Sequence, residues 1–149
     1  MSDIEDLYQD LILDHNRNPR NFKVLEKYTQ SAEGFNPLCG DKVTIYAKCE
    51  GDILKEISFQ GSGCAISKAS ASLLTTVIKD KKIDEVKRIF EKFHQMVTGE
   101  IADSNLKELG KLSAFQGVKE FPIRVKCATL AWHTLKAALE SKHTVVSTE

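Results

Sequence analysis

No apolar run in the sequence is long enough to span a bilayer. The opening MSDIEDLYQDLILDHNRNPR starts acidic, without the charged start and apolar stretch of a secretory signal. A membrane anchor and an export route are therefore not expected, and a soluble, cytoplasmic protein is. Charge of one sign is missing as well: 21 lysines and arginines balance 21 aspartates and glutamates. That leaves no basic field to hold a nucleic acid backbone by counterion release. Repeats, linkers and low-complexity segments are absent too, so residues 1–149 read as a single domain, long enough to bury a core without a disulfide framework. There is no paired C-x₂-C of a zinc ribbon, no H-E-x-x-H, and no deaminase H-x-E with P-C-x-x-C. A hydrolytic zinc enzyme, which needs an open coordination position and a general base, is accordingly the least favoured class.

What the sequence does have is four cysteines, Cys39, Cys49, Cys64 and Cys127. In a reducing compartment two disulfides lose to thiolate chemistry or to burial, so the position of each cysteine decides its reading. Residues 3–13 place Ile4, Leu7, Leu11 and Ile12 on one helical face, with Ser2 or Asp3 as cap and Pro19 ending any helix before it. From Val43 to Cys49 apolar and polar residues alternate, the period of a half-buried strand. Glu50-Gly51-Asp52 reads as a turn, and Ile53–Gln60 as the returning strand with Ile57 and Phe59 inward. A third strand is expected within residues 27–34. Gly61-Ser62-Gly63 then leads into a helix of small residues, putting Cys64 at its start. Residues 82–98 form an amphipathic helix stopped by Gly99, 103–112 a short helix and 113–122 a loop. A largely buried helix runs from Pro122 to about Glu140. Helix, hairpin, then helices is an α+β order.

In an antiparallel hairpin the start of the first strand and the end of the second share one end of the sheet, so Cys39, Asp41 and Cys64 converge there. Gly40 between Cys39 and Asp41 allows the tight turn that aims both side chains at one point. If the last helix begins over that end, Cys127 completes three thiolates and a carboxylate, a tetrahedral donor set that suits zinc. A helix start favours a thiolate at Cys64, and Arg124 and Lys126 flank Cys127 with positive charge. The plain alternative for Cys64 and Cys127 is a small buried hydrophobe. Cys49 shares parity with Val43, Ile45 and Ala47 and is assigned to the core. His94, His133 and His143 are read as structural or solvated.

The phrases NPLCGD, GSGCAIS and VKCATLAW, with DHNRNPRNF upstream, closely resemble the NifU N-terminal/IscU family of iron-sulfur cluster assembly proteins, from about residue 5 to 140. Lys126, where the scaffold branch has histidine, and the extra segment LGKLSAFQGVKEFPIR resemble the SufU branch of that family. The resemblance implies a SufE/NifU (IscU-like) fold, a small antiparallel sheet of three strands packed against several helices. It implies zinc held by Cys39, Asp41, Cys64 and Cys127, a SufS-type cysteine desulfurase as partner, and sulfane sulfur accepted for cluster synthesis. Cys39 is the expected acceptor, attacking a persulfide on the desulfurase, with Arg124 and Lys126 as candidates to stabilise the charged sulfur. Cluster scaffolds or apo-acceptor proteins stand downstream. FPIRVKC replaces the chaperone-recognition stretch of the scaffold branch, which argues against an Hsp70-type partner. Two other readings stay open: a scaffold on which iron and a [2Fe-2S] cluster occupy the same residues, and a protein in which zinc only holds the fold.

Overall fold

The chain enters through helix α1, Asp3–Arg17, which runs past residue 13 and stops before Pro19. This computed structural model describes residues 3–100, 103–140 and 143–147, with side chains over 9–100 and 109–140. Ser2 as a cap, the burial of Ile4 and Leu7 and the side chain of His143 lie outside the described residues. Leu11 and Ile12 pack against the core as their spacing predicts. His15, which the sequence reading passed over, is buried and its Nδ1 lies 2.7 Å from the Ser72 hydroxyl, joining α1 to the helix below it.

Three strands follow: β1, Gln30–Asn36, β2, Asp41–Glu50, and β3, Ile53–Ser62. All pair antiparallel, with β1 being the third strand expected in 27–34, displaced towards the turn that carries Cys39. A bulge interrupts the hairpin: Lys48 faces Glu56, but Cys49 faces Leu54, so Lys55 is the extra residue. The bulge returns Leu54 to the face of Ile57 and Phe59, and all three are buried. Cys49 is half-buried and packs against the edge of the core rather than inside it. Burial still pushes its thiol up, partly opposed by a hydrogen bond with Thr29.

The sheet differs from the expected three antiparallel strands. Among the described residues it has five, in the order β4-β3-β2-β1-β5, where β4 is the two-residue Lys81–Lys82 and β5 is His143–Ser147. β5 runs parallel to β1. A parallel neighbour requires the chain to cross back along the sheet first, and the last helix, α4, Pro122–Glu140, makes that return.

The other helices are α2, Ala65–Ile78, and α3, Ile83–Thr98, which ends at Gly99 as expected. Between α3 and α4 the expected loop 113–122 is helical instead. Asp103–Glu120 forms two 3₁₀ pieces joined at a kink at Gly110 (φ 55°, ψ −124°). Its buried apolar residues include Leu109, Leu112, Phe115 and Val118, a spacing of three that lines one face of a helix with three residues per turn.

Small residues bring α2 and α4 together over the sheet. The Ser70 hydroxyl donates to the Ala128 carbonyl at 2.6 Å, and Ala69, Ala71, Ser72, Ala128 and Ala131 are all buried. On the strand side, a Cβ at Gly34 in β1 would overlap the Thr134 hydroxyl of α4 and come within 3.1 Å of Leu130. The bare backbone there lets α4 lie close on β1. Trp132, stacked on Phe93 and Phe90, fills the space between α3 and α4. Among the described residues no helix is long and apolar enough to cross a membrane.

Candidate metal centre

Asn36, the last residue of β1, pairs in register with Asp41, the first of β2, and the turn Pro37-Leu38-Cys39-Gly40 closes between them. Gly40 takes φ 69°, a left-handed conformation that an L side chain resists, and the Cys39 N–H donates to the Asn36 carbonyl at 3.2 Å. The turn therefore needs little from its side chains. It exposes Leu38 by 63 % while folding Cys39 and Asp41 towards the protein.

The end of β3 arrives beside this turn, because Lys42 pairs with Ser62. Gly63 then passes so close to Asp41 that any Cβ would overlap its Oδ1. The next N–H, that of Cys64, donates to the same oxygen at 2.8 Å. Cys64 is the N-cap of α2, its sulfur accepting from the Ser67 N–H at 3.4 Å, and that sulfur lies 3.9 Å from Asp41 Oδ2. The expectation of a thiol at a helix start is thus met.

Cys127 arrives from the beginning of α4, which the close approach at Gly34 helps to hold over this end of the sheet. Its side chain is fully buried, and its thiol lies 3.2 Å from Cys39 Sγ. That distance is far beyond the ~2.05 Å of a disulfide and somewhat shorter than the roughly 3.8 Å between two thiolates on one tetrahedral zinc. The donor atoms of Cys39, Asp41 and Cys127 all lie within 4.8 Å of one another, a group that could hold a metal ion. Cys64 stands at its edge, beside Asp41 and occupied as a cap. Two thiols and a carboxylate, with a third thiol adjacent, have the donor chemistry of a zinc or iron site.

Electrostatics describe the same cluster. Burial first, then hydrogen bonds with Cys39, Asp41 and Cys64, push the Cys127 thiol far up. A bound divalent cation would reverse that balance. Of the two cations expected beside Cys127, both placed near the start of α4, Arg124 answers to the thiols. Its guanidinium is raised by the charge of Cys64 first; burial opposes this, and Cys127 adds a smaller push in the same direction as Cys64. Arg124 is exposed and Lys126 half-buried.

One residue of the centre was not anticipated. Asn36 is fully buried, and its Nδ2 donates to Asp41 Oδ2 at 3.3 Å and to Cys127 Sγ at 3.5 Å. Its Oδ1 is buried without a hydrogen-bond partner, a cost on the order of 1–3 kcal/mol. The available signal was its place directly before Pro37 in the same phrase as Cys39, which reads equally well as a turn residue.

Comparison with known proteins gives a consistent picture. The family described as NifU-like N terminal domain matches residues 7–128. The chain is 41 % identical over 135 residues to the zinc-dependent sulfurtransferase SufU of Bacillus subtilis (strain 168), covering 91 % of this chain and 90 % of that protein. It is 35 % identical over 140 residues to the iron-sulfur cluster assembly scaffold protein IscU of Streptococcus pyogenes serotype M1, covering 94 % and 87 %. Among solved structures, FiSufU from the thermophile Fervidobacterium islandicum AW-1 superposes with a TM-score of 0.82 at 35 % identity, over 91 % of this chain and 98 % of that one. A NifU-like N-terminal domain from Brucella abortus shares the fold at 21 % identity, with a TM-score of 0.81 over 93 % and 96 %. With that match over most of its length and these relatives spanning nearly all of it, the chain belongs to the family of NifU-like N-terminal domains.

Proposed function

We propose that this protein serves iron-sulfur cluster assembly as a zinc-dependent sulfur acceptor, taking sulfane sulfur from a SufS-type cysteine desulfurase onto Cys39. The observation that carries the reading is the meeting of Cys39, on an exposed turn, with Asp41 and the buried Cys127 within 4.8 Å. The 41 % identity to a relative named as a zinc-dependent sulfurtransferase supports it. Cys39, Asp41 and Cys127 would hold the ion, with Cys64 as the fourth ligand once its sulfur gives up the Ser67 N–H. Bound zinc would supply the positive charge that keeps these thiols deprotonated at neutral pH.

The roles of the residues follow from where they sit. Cys127 is enclosed and Asp41 is held by a backbone N–H, so they remain in place, whereas Cys39 rides on a turn beside exposed Leu38 and can move outward. The Cys39 thiolate attacks the terminal sulfur of the desulfurase persulfide. A new S–S bond forms at Cys39, the S–S bond in the desulfurase breaks, and the desulfurase cysteine leaves as thiolate, with no net oxidation. Arg124, exposed beside the thiols, balances the anionic persulfide.

A scaffold reading has its own support in the relatives named as IscU scaffolds and in the suitability of the same donors for iron. Native mass spectrometry separates the two. Anaerobically purified protein should carry one zinc and, after cysteine desulfurase and cysteine, one added sulfur that disappears in Cys39→Ala. Iron with stoichiometric sulfide would move the assignment to a scaffold. Zinc with neither sulfur transfer nor any effect on desulfurase turnover would reduce the metal to a structural role.

A further inference from the structure

Asn36 is not needed by the turn it opens. The Cys39 N–H is received by the Asn36 backbone carbonyl, which any residue would offer, and the pairing with Asp41 is likewise a backbone matter. The side chain does something else. It lies fully buried between β1 and the beginning of α4, and its one amide nitrogen reaches two acceptors from distant parts of the chain, Asp41 Oδ2 and Cys127 Sγ. The Asp41 oxygen accepts there, so the amide faces it with its NH₂ group. That same orientation aims the second N–H at sulfur and strands Oδ1 without a partner. A residue kept for packing alone would not bury an unpaired oxygen; an apolar side chain would fill the space without it.

We propose that Asn36 is a positioning residue that locks Asp41 and Cys127 into one rigid half of the metal centre, leaving Cys39 as the ligand free to depart. The inference rests on the zinc reading above and extends it by naming what makes the ligands unequal. Asp41 takes the Cys64 N–H on Oδ1 and the Asn36 amide on Oδ2, so both its oxygens are fixed. Cys127 takes the other amide hydrogen and is closed off from solvent. Cys39 meets Cys127 through its sulfur and sits on the outward turn, half-buried. Hydrogen bonds to metal-bound sulfur and carboxylate also spread their negative charge and fix their direction, as outer-shell partners do at other metal sites.

The experiment compares wild-type protein, Asn36→Val and Asn36→Ala by chelator competition for zinc, by the absorption spectrum of the cobalt(II) form, and by melting of the zinc-free protein. Zinc should bind about 10–100-fold more weakly to both variants, with a shifted cobalt spectrum and a nearly unchanged zinc-free melting temperature. Alkylation of the zinc-loaded proteins, mapped by mass spectrometry, should modify Cys39 well before Cys127 in wild type and less selectively in the variants. Variants that bind zinc within threefold of wild type with the same cobalt spectrum would overturn the proposal and leave the zinc reading standing. So would equal alkylation of Cys39 and Cys127 in wild type. Loss of the zinc-free fold in both variants would assign Asn36 to packing and overturn it too. A wild-type protein that binds no zinc removes the zinc reading itself.

Discussion

At the residue scale, the four candidate ligand residues each stand at a chemically marked address. Gly40 separates Cys39 from Asp41, Gly63 precedes Cys64, and Cys127 lies one turn inside a helix opened by a proline. Asn36 was not legible, since its role exists only once β1 meets β2 in register and α4 covers both. Arg124 and Lys126 both flank Cys127 in sequence, and only the fold separates them, leaving Arg124 exposed and Lys126 half-buried. Cys64 has two duties here, capping α2 through the Ser67 N–H and standing beside Asp41. Serine is among the better N-caps but a poor ligand for zinc. Cys64→Ser should therefore leave the zinc-free protein as stable as wild type, or up to about 1 kcal/mol more stable, while zinc affinity measured by chelator competition falls at least tenfold. Equal zinc affinity would remove Cys64 from the ligand set.

Among the elements, periodicity and punctuation carried the reading furthest. α3 was bounded nearly to the residue by its apolar repeat and Gly99, and α4 by Pro122. The segment 113–120 was misread as loop because an apolar residue at every third position matches neither a 3.6-residue helix nor a strand. It matches a 3₁₀ helix, which is rare at this length. The fifth strand and its parallel direction were hidden for another reason, as its pairing depends on where α4 delivers the chain. That delivery rests on contact between α4 and β1 at Gly34, where a Cβ would overlap Thr134 Oγ1 and crowd Leu130. Gly34→Ala should destabilise the protein by about 1–3 kcal/mol through overpacking, read as a lower urea midpoint. Truncating the opposing side chain relieves part of the clash, so Gly34→Ala with Thr134→Ala should be less destabilised than the sum of the two single variants. Strict additivity would mean that the helix does not rest on the strand at this point.

Across the whole molecule, the hydrophobic core and the metal centre are built from the same elements but do not share their atoms. The core runs from Ile45 and Phe59 through Leu74 to Phe93, Phe115 and Trp132. The candidate ligand residues gather where β2 begins, α2 begins and α4 begins. The fold class followed from element order in the sequence, but the arrival of α4 at the ligand end did not, because no local pattern encodes which end of a sheet a helix start will cover. A core of this kind predicts that zinc stabilises the protein without being required for folding, unlike a small zinc finger, which has little other core. Removing zinc with a chelator should keep the far-ultraviolet circular dichroism and a single cooperative melt, at a lower temperature. Returning zinc should raise the midpoint progressively with free zinc, since binding to the native state alone stabilises it by RT ln(1 + [Zn]/Kd), about 2.7 kcal/mol at a hundredfold excess over Kd. Cys127→Ala, which removes the buried ligand, should melt at one temperature with or without zinc. Cys39→Ala should keep part of the zinc response if Asp41, Cys127 and Cys64 hold the ion while Cys39 departs. Loss of the whole response in Cys39→Ala, together with an unfolded zinc-free wild type, would make all four ligands equal struts of a structural site and exclude a departing cysteine.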